Sequence, residues 1–226
     1  MYCSRLFVPL YTNHSNPEKM KREIRPQDSK RAEAFSMWMS SPVPMVTLIK
    51  TIDVSRLRKV SRKTGMRFNM LMCWCIGKTA SGIEEFFVLP EKDKLYQFDR
   101  LAINVVVQNI NDGINLCDIP FSEDISQFNA DYLAITDQTA KACKSSSLEE
   151  YMIVGTSALP QTELDCIVNQ YSGIWNNPFL AWGRYRKRLF KTTLPISLQF
   201  HHAQMDGAHA CRFLNELQKT MDSLRL

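Results

Sequence analysis

Apolar residues alternate along Leu194-Pro-Ile-Ser-Leu-Gln-Phe200, so Leu194, Ile196, Leu198 and Phe200 share one face of a predicted strand. The period then changes. Phe213, Leu214, Leu217 and Met221 fall on one stripe and predict a helix over 208–223. Upstream, residues 45–53 read as a strand. Residues 53–62 read as a helix with Val54, Leu57 and Val60 inward. The strongly apolar segment 68–89 predicts one long buried helix that Pro90 ends. Residues 101–110 and 114–119 predict two strands joined at the turn Asn111-Asp112-Gly113. A helix is expected over 124–144, and strands over 152–159 and 166–170. Residues 11–33 are polar and charged, which predicts an exposed extension or a short surface helix. Strands and helices interleave without a strict βαβ period, so the pattern predicts one α/β or α+β domain with a mixed sheet.

Composition narrows this. The chain has 226 residues and a 45% hydrophobic fraction, enough for a sizeable core. It holds 28 Lys and Arg against 23 Asp and Glu, a net charge of +5. That mild excess favours anionic small ligands, phosphates included. No long basic block or RNA-binding aromatic signature points to nucleic acid. The seven cysteines include no CxxC pair and read as buried free thiols in a reducing compartment. No apolar stretch reaches ~18 residues, and Phe7-Val-Pro-Leu10 is too short for a secretory signal. A cytoplasmic protein without a membrane partner is expected.

Candidate chemistry lies in His201-His202-Ala203-Gln204-Met205-Asp206-Gly207, between the last predicted strand and the last predicted helix. Rigid elements on either side hold a side chain whose tip faces a cleft. An imidazole with pKa near ~6.5 exchanges protons at neutral pH. A metal site from His201, His202 and Asp206 is disfavoured, because adjacent residues of an extended strand point to opposite faces.

Residues 194–218 resemble the C-terminal core of the chloramphenicol acetyltransferases: an apolar strand, His-His-Ala-x-x-Asp-Gly, a helix, and Asn215-Glu-Leu-Gln218. A shorter His-x-x-x-Asp-Gly also occurs in plant acyltransferases, peptide-synthetase condensation domains and lipoyl acyltransferases. Further similarities occur in order: Arg31-Ala-Glu33-Ala-Phe35, Ile52-Asp53-Val-Ser55, Thr156-Ser157-Ala158-Leu159-Pro160, and Asn177 to Tyr185. The likeness runs from about residue 31 to the C-terminus. It implies an extension over residues 1–30 and a single domain over 31–226. The fold it implies is a CoA-dependent acyltransferase α/β two-layer sandwich with a mostly antiparallel mixed sheet.

The resemblance also implies a mechanism. His202 is the general base that takes a proton from a small-molecule hydroxyl as it attacks acetyl-CoA. Ser157 donates to the oxyanion of the tetrahedral intermediate. Asp206 pairs with Arg31 and holds the histidine loop. Tyr185 lies near the adenine of the co-substrate, and Arg184 and Arg67 lie near its phosphates. No metal is expected. A homotrimer is implied, with the site between subunits. Chloramphenicol is one candidate acceptor. Gln161, Ala181 and Asp28 depart from the family pattern, as do Pro42, Pro44 and Val46 in the acceptor region. These departures leave open a non-catalytic CoA-binding or small-ligand module that keeps the fold.

Overall fold

A computed structural model describes residues 21–171 and 173–225. Along the chain run β1 (Lys21–Ile24), α1 (Ala32–Trp38), β2 (Met45–Asp53), α2 (Ser55–Thr64) and α3 (Phe68–Ala80). Next come β3 (Val88–Glu91), β4 (Lys94–Phe98), β5 (Leu101–Gln108), β6 (Ile114–Pro120) and α4 (Ile125–Ala142). The last elements are β7 (Met152–Leu159), β8 (Phe179–Gly183), β9 (Arg186–Lys187), β10 (Thr192–His201) and α5 (Gly207–Ser223).

The main sheet has the order β2-β10-β8-β7-β5-β6, with β9 also paired to β10. Two of its pairings, β5 with β7 and β7 with β8, are parallel, and the others are antiparallel. The mixed, mostly antiparallel sheet expected from the resemblance is therefore present. Helices cover one face. Leu194, Ile196, Leu198 and Phe200 of β10 point into the core with the apolar faces of α2, α3 and α5. The alternation along 194–200 marks this core face, while Ser197 and Gln199 on the other face are buried as well. A second sheet, β1-β4-β3, stands apart.

The predicted elements need four corrections. Residues 68–89 are not one helix. The helix α3 ends at Ala80, the backbone N–H groups of Gly82 and Ile83 reach back only three residues to Thr79 and Ala80, and a short 3₁₀ turn, Glu84–Phe87, leads into β3. Gly82 breaks the helix there. Ile83 and Phe86 are buried all the same, so the apolar spacing that suggested a continued helix is met by a turn. Pro90 ends nothing; it sits on the edge strand β3, where its missing N–H costs no ladder bond. Residues 166–170 form no strand, although Gln199 Nε2 donates to the Asn169 carbonyl at 2.7 Å and ties that segment over β10. Residues 21–24, read as extension or surface helix, pair with β4. The earlier part of that extension lies outside the described residues.

The thiols also differ from expectation. Cys73, Cys75 and Cys117 are buried, whereas Cys166 and Cys211 are exposed; all are free. Burial pushes the Cys73 thiol up to about 12, which makes it inert at neutral pH. No described helix is long and apolar enough to cross a membrane.

Leu198 is fully buried at the centre of β10, between β2 and β8. Leu198→Ala is expected to cost about 2–5 kcal/mol of unfolding free energy, read from the urea midpoint.

Candidate active site

Strand β10 delivers the histidine pair to the sheet margin, and the pair then diverges. His201 is buried, and its Nδ1 accepts the Ala203 N–H at 3.1 Å. Desolvation, and then the neighbouring His202, lower its pKa to about 4, so it stays neutral. His202 leaves the ladder after its N–H bonds the Pro44 carbonyl at 2.8 Å. Its side chain is one-quarter exposed. The Nδ1 is enclosed and makes no hydrogen bond among the described residues, although the Asp206 carboxylate lies 3.4 Å away. Such a neighbour favours the proton on Nδ1 and leaves the lone pair on Nε2, which has no partner among the described residues.

Arg31 organises the loop. Its guanidinium grips both Asp206 oxygens, at 2.7 and 2.8 Å. It also donates to the backbone carbonyls of His202 at 2.7 Å and Ala203 at 3.2 Å. The hydrogen bonds from Arg31 hold the Asp206 carboxyl below the usual carboxylate range. Asp206 is also the N-cap of α5, and its N–H is accepted by His209 Nδ1 at 3.1 Å. His209 Nε2 lies 3.1 Å from Glu85. The Arg31–Asp206 pairing and the cap are therefore both present.

One site residue escaped the sequence reading. Trp38 stacks flat on the His202 ring, with centroids 4.3 Å apart and planes 4° from parallel. A detectable signal existed: Arg31 and Trp38 are seven residues apart at the two ends of α1, two helical turns that put both on one face.

Ser157 lies elsewhere. It is on β7, where Met152, Val154 and Thr156 face the helices, so its own side chain points to the opposite face. Its hydroxyl has no hydrogen-bond partner among the described residues. Ser157 stands opposite Ala181 of β8, and Ala181 opposite Ser197 of β10. His202 is five residues beyond Ser197. The separation is therefore about 16 Å along the strands and about 9.5 Å across them.

The three predicted co-substrate residues do converge. Arg67, Arg184 and Tyr185 line a cavity of about 410 Å³ with Phe68, Asn69 and Pro160. A neighbouring cavity of about 490 Å³ shares Arg184 and Tyr185 and adds Lys187 and Glu163. The Phe68 ring packs 5.1 Å from Tyr185, and the Arg58 guanidinium lies 5.8 Å over its face. This basic, aromatic-lined hollow opens where β7 and β8 end. His202 sits at the other end of the sheet. One chain thus carries two separate clusters: His202, Asp206, Arg31 and Trp38 at one end, and Ser157, Arg67, Arg184 and Tyr185 towards the other.

Comparison with known proteins fits this arrangement. The family model of chloramphenicol acetyltransferase matches residues 23–218. The chain belongs to the chloramphenicol acetyltransferase family. Chloramphenicol acetyltransferase 2 of Escherichia coli is 25% identical over 200 residues, covering 86% of this chain and 93% of that protein. A chloramphenicol acetyltransferase of Vibrio anguillarum is 48% identical over 48 residues, which cover 21% of this chain and 22% of that protein. Among solved structures, a chloramphenicol acetyltransferase superposes with a TM-score of 0.75 at 18% identity, covering 89% of this chain and all of that one. The dihydrolipoamide acetyltransferase of Azotobacter vinelandii gives 0.64 at 16% identity, over 97% and 98% of the two chains. These structures share the fold of this family member.

The neutral His201 generates a prediction. Its pKa falls from 6.5 in the unfolded chain to about 4 in the folded one. The unfolded state therefore binds more protons, and the stability His201 contributes is lost as pH falls from 6.5 towards 4. His201→Asn keeps an acceptor for Ala203 and removes the titration. Thermal unfolding of that variant is expected to depend less on pH across this window than that of the parent.

Proposed function

We propose that the protein transfers an acetyl group from acetyl-CoA to a hydroxyl of a small molecule, in a site completed between subunits of a homotrimer. Family membership supports acetyl transfer as the reaction class. The observation that carries the reading is the state of His202. Its Nδ1 is enclosed beside a carboxylate that Arg31 anchors, and its Nε2 is free to accept a proton. In the proposed step, Nε2 takes the hydroxyl proton while that oxygen attacks the thioester carbonyl. The Ser157 hydroxyl donates to the developing oxyanion. Collapse of the intermediate releases the thiolate, which receives the proton back from His202. The flat stack of Trp38 holds the ring plane, so little orientational entropy is lost in reaching the transition state.

The same geometry supports a site shared between copies, and the resemblance supplies the trimer. Ser157 and His202 of one chain are too far apart to hold one reacting carbonyl between them. A neighbouring copy that sets its Ser157 half-site against the first chain's His202 brings the two groups to one substrate. The Arg67, Arg184 and Tyr185 hollow fits the co-substrate chemically, with guanidinium groups for phosphates and an aromatic ring for stacking. Chloramphenicol is a candidate acceptor through the family.

Acetyl-CoA turnover, followed as free thiol against a panel of hydroxylated acceptors with chloramphenicol among them, tests the activity. His202→Ala should lose at least ~10²-fold; near-normal turnover would remove His202 from the mechanism. The shared site has its own test. His202→Ala and Ser157→Ala chains are each expected to be crippled. Co-refolded in equal amounts they should regain about a quarter of wild-type activity, because half of the chains supply an intact His202 and half an intact Ser157. No recovery in the mixture would place both residues' contributions within a single chain.

A further inference from the structure

The net charge of +5 hides a strong asymmetry. Residues 55–67 and 184–191 hold eleven of the 28 Lys and Arg and none of the 23 Asp and Glu. The rest of the chain has 17 basic against 23 acidic residues, a net −6. The fold puts the two basic segments together. The Val54 N–H donates to the Thr192 carbonyl at 2.8 Å, and the Thr192 N–H to Ser55 Oγ at 2.8 Å. The Arg58 guanidinium lies over the Tyr185 ring. Both segments rim the hollow that Arg67, Arg184 and Tyr185 line. From this rim projects the β9–β10 hairpin, whose tip residues Leu189 and Phe190 are 87% and 90% exposed, the highest values among the described large hydrophobics.

Free CoA does not account for this surface. Its phosphates bring roughly four negative charges, and Arg67, Arg184 and Lys187 already line the cavities that would hold it. Arg186 is held by Glu163 and Asp165, but seven further basic residues lie in the same two segments, beside two apolar side chains that a soluble nucleotide has no use for. A partner that uses all of these features presents an acidic surface with an apolar patch and inserts a phosphopantetheine thioester into the hollow.

Resting on the transferase reading above, we propose that the basic rim and the Leu189-Phe190 tip dock an acidic carrier protein whose phosphopantetheine arm delivers the acyl thioester as a second donor, in the same hollow that takes acetyl-CoA. The phosphate of the arm takes the Arg67 and Arg184 subsite, and acidic side chains of the carrier face Lys59, Arg62 and Arg188. Leu189 and Phe190 insert into an apolar patch beside the arm's attachment point. In the transfer, the acyl C–S bond to the carrier breaks and a C–O bond to the acceptor forms. The hydroxyl proton passes through His202 to the departing sulfur, leaving a carrier thiol.

The test is binding of a purified acidic acyl carrier protein, in apo, holo and acetylated forms, to the full-length protein by isothermal titration calorimetry. No turnover is needed. Binding is expected to be tighter for the holo and acetylated forms than for the apo form, and to weaken at least about tenfold between 50 and 300 mM salt. The triple variant Arg188→Glu, Leu189→Ser, Phe190→Ser should weaken it at least about tenfold, and so should Lys59→Glu with Arg62→Glu. None of these residues lines the hollow, so acetyl-CoA binding should stay within about twofold, which also reports that the variants are folded. Absence of carrier binding at about 200 µM would sink the proposal. So would unchanged binding in both variants, or equally tight binding to phosphatidylglycerol vesicles or duplex DNA. Failure of acetyl-CoA turnover with intact carrier binding would instead count against the transferase reading alone.

Discussion

The guanidinium of Arg31 is the fixed point of the His202 end of the molecule. It makes four hydrogen bonds to a segment more than 170 residues away: two to the Asp206 carboxylate and two to the carbonyls of His202 and Ala203. A planar fork suits this task because it satisfies a carboxylate and two backbone acceptors at fixed angles. Through it the short helix α1 is fastened to the loop after β10, and α1 in turn lays Trp38 on the imidazole. Asp206 holds Arg31, caps α5 and sets the field at His202 Nδ1. Charge, loop geometry and ring orientation therefore depend on one ion pair.

The sheet imposes the second constraint. Strand β10 runs antiparallel to β8, so the end of β10 that carries His202 is remote from the end of β8 that carries Arg184 and Tyr185. Ser157, on the parallel neighbour β7, goes with the latter. A single copy of this topology separates His202 from Ser157 and the basic hollow. Assembly can reunite them, at the cost of making activity depend on the contact between copies. The charge distribution follows the same division. The basic segments gather at the end with the hollow, while the His202 end carries Asp206 and Glu85 paired with Arg31 and His209.

Legibility in the sequence tracked how local the cause was. The strands at 45–53, 152–159 and 194–200 were readable because apolar, β-branched runs record which side chains face the core. The helix over 125–142 was readable because Asp124 caps it and its turns are regular. β8 was missed as a strand, although Phe179-Leu-Ala-Trp-Gly183 is the short apolar run of a central strand. The helix assigned to 68–89 failed because burial continues past Gly82 while the backbone does not. Hydrophobic spacing reports which side chains are inside, and a turn meets it as well as a helix does.

The sequence by itself determined the chemistry available: an imidazole at a strand end, a carboxylate four residues on, an arginine to hold it, and a serine on an alternating strand. The first two are matters of residue type and short spacing; the roles of Arg31 and Ser157 were legible only through the resemblance to the family. Only the tertiary structure decided where those groups stand relative to one another. It stacked Trp38 on His202, gathered Arg67, Arg184 and Tyr185 into one hollow, merged two distant basic segments, and placed Ser157 far from His202. Such pairings arise from strand order and direction, which depend on contacts between residues up to 175 positions apart. No local period encodes them.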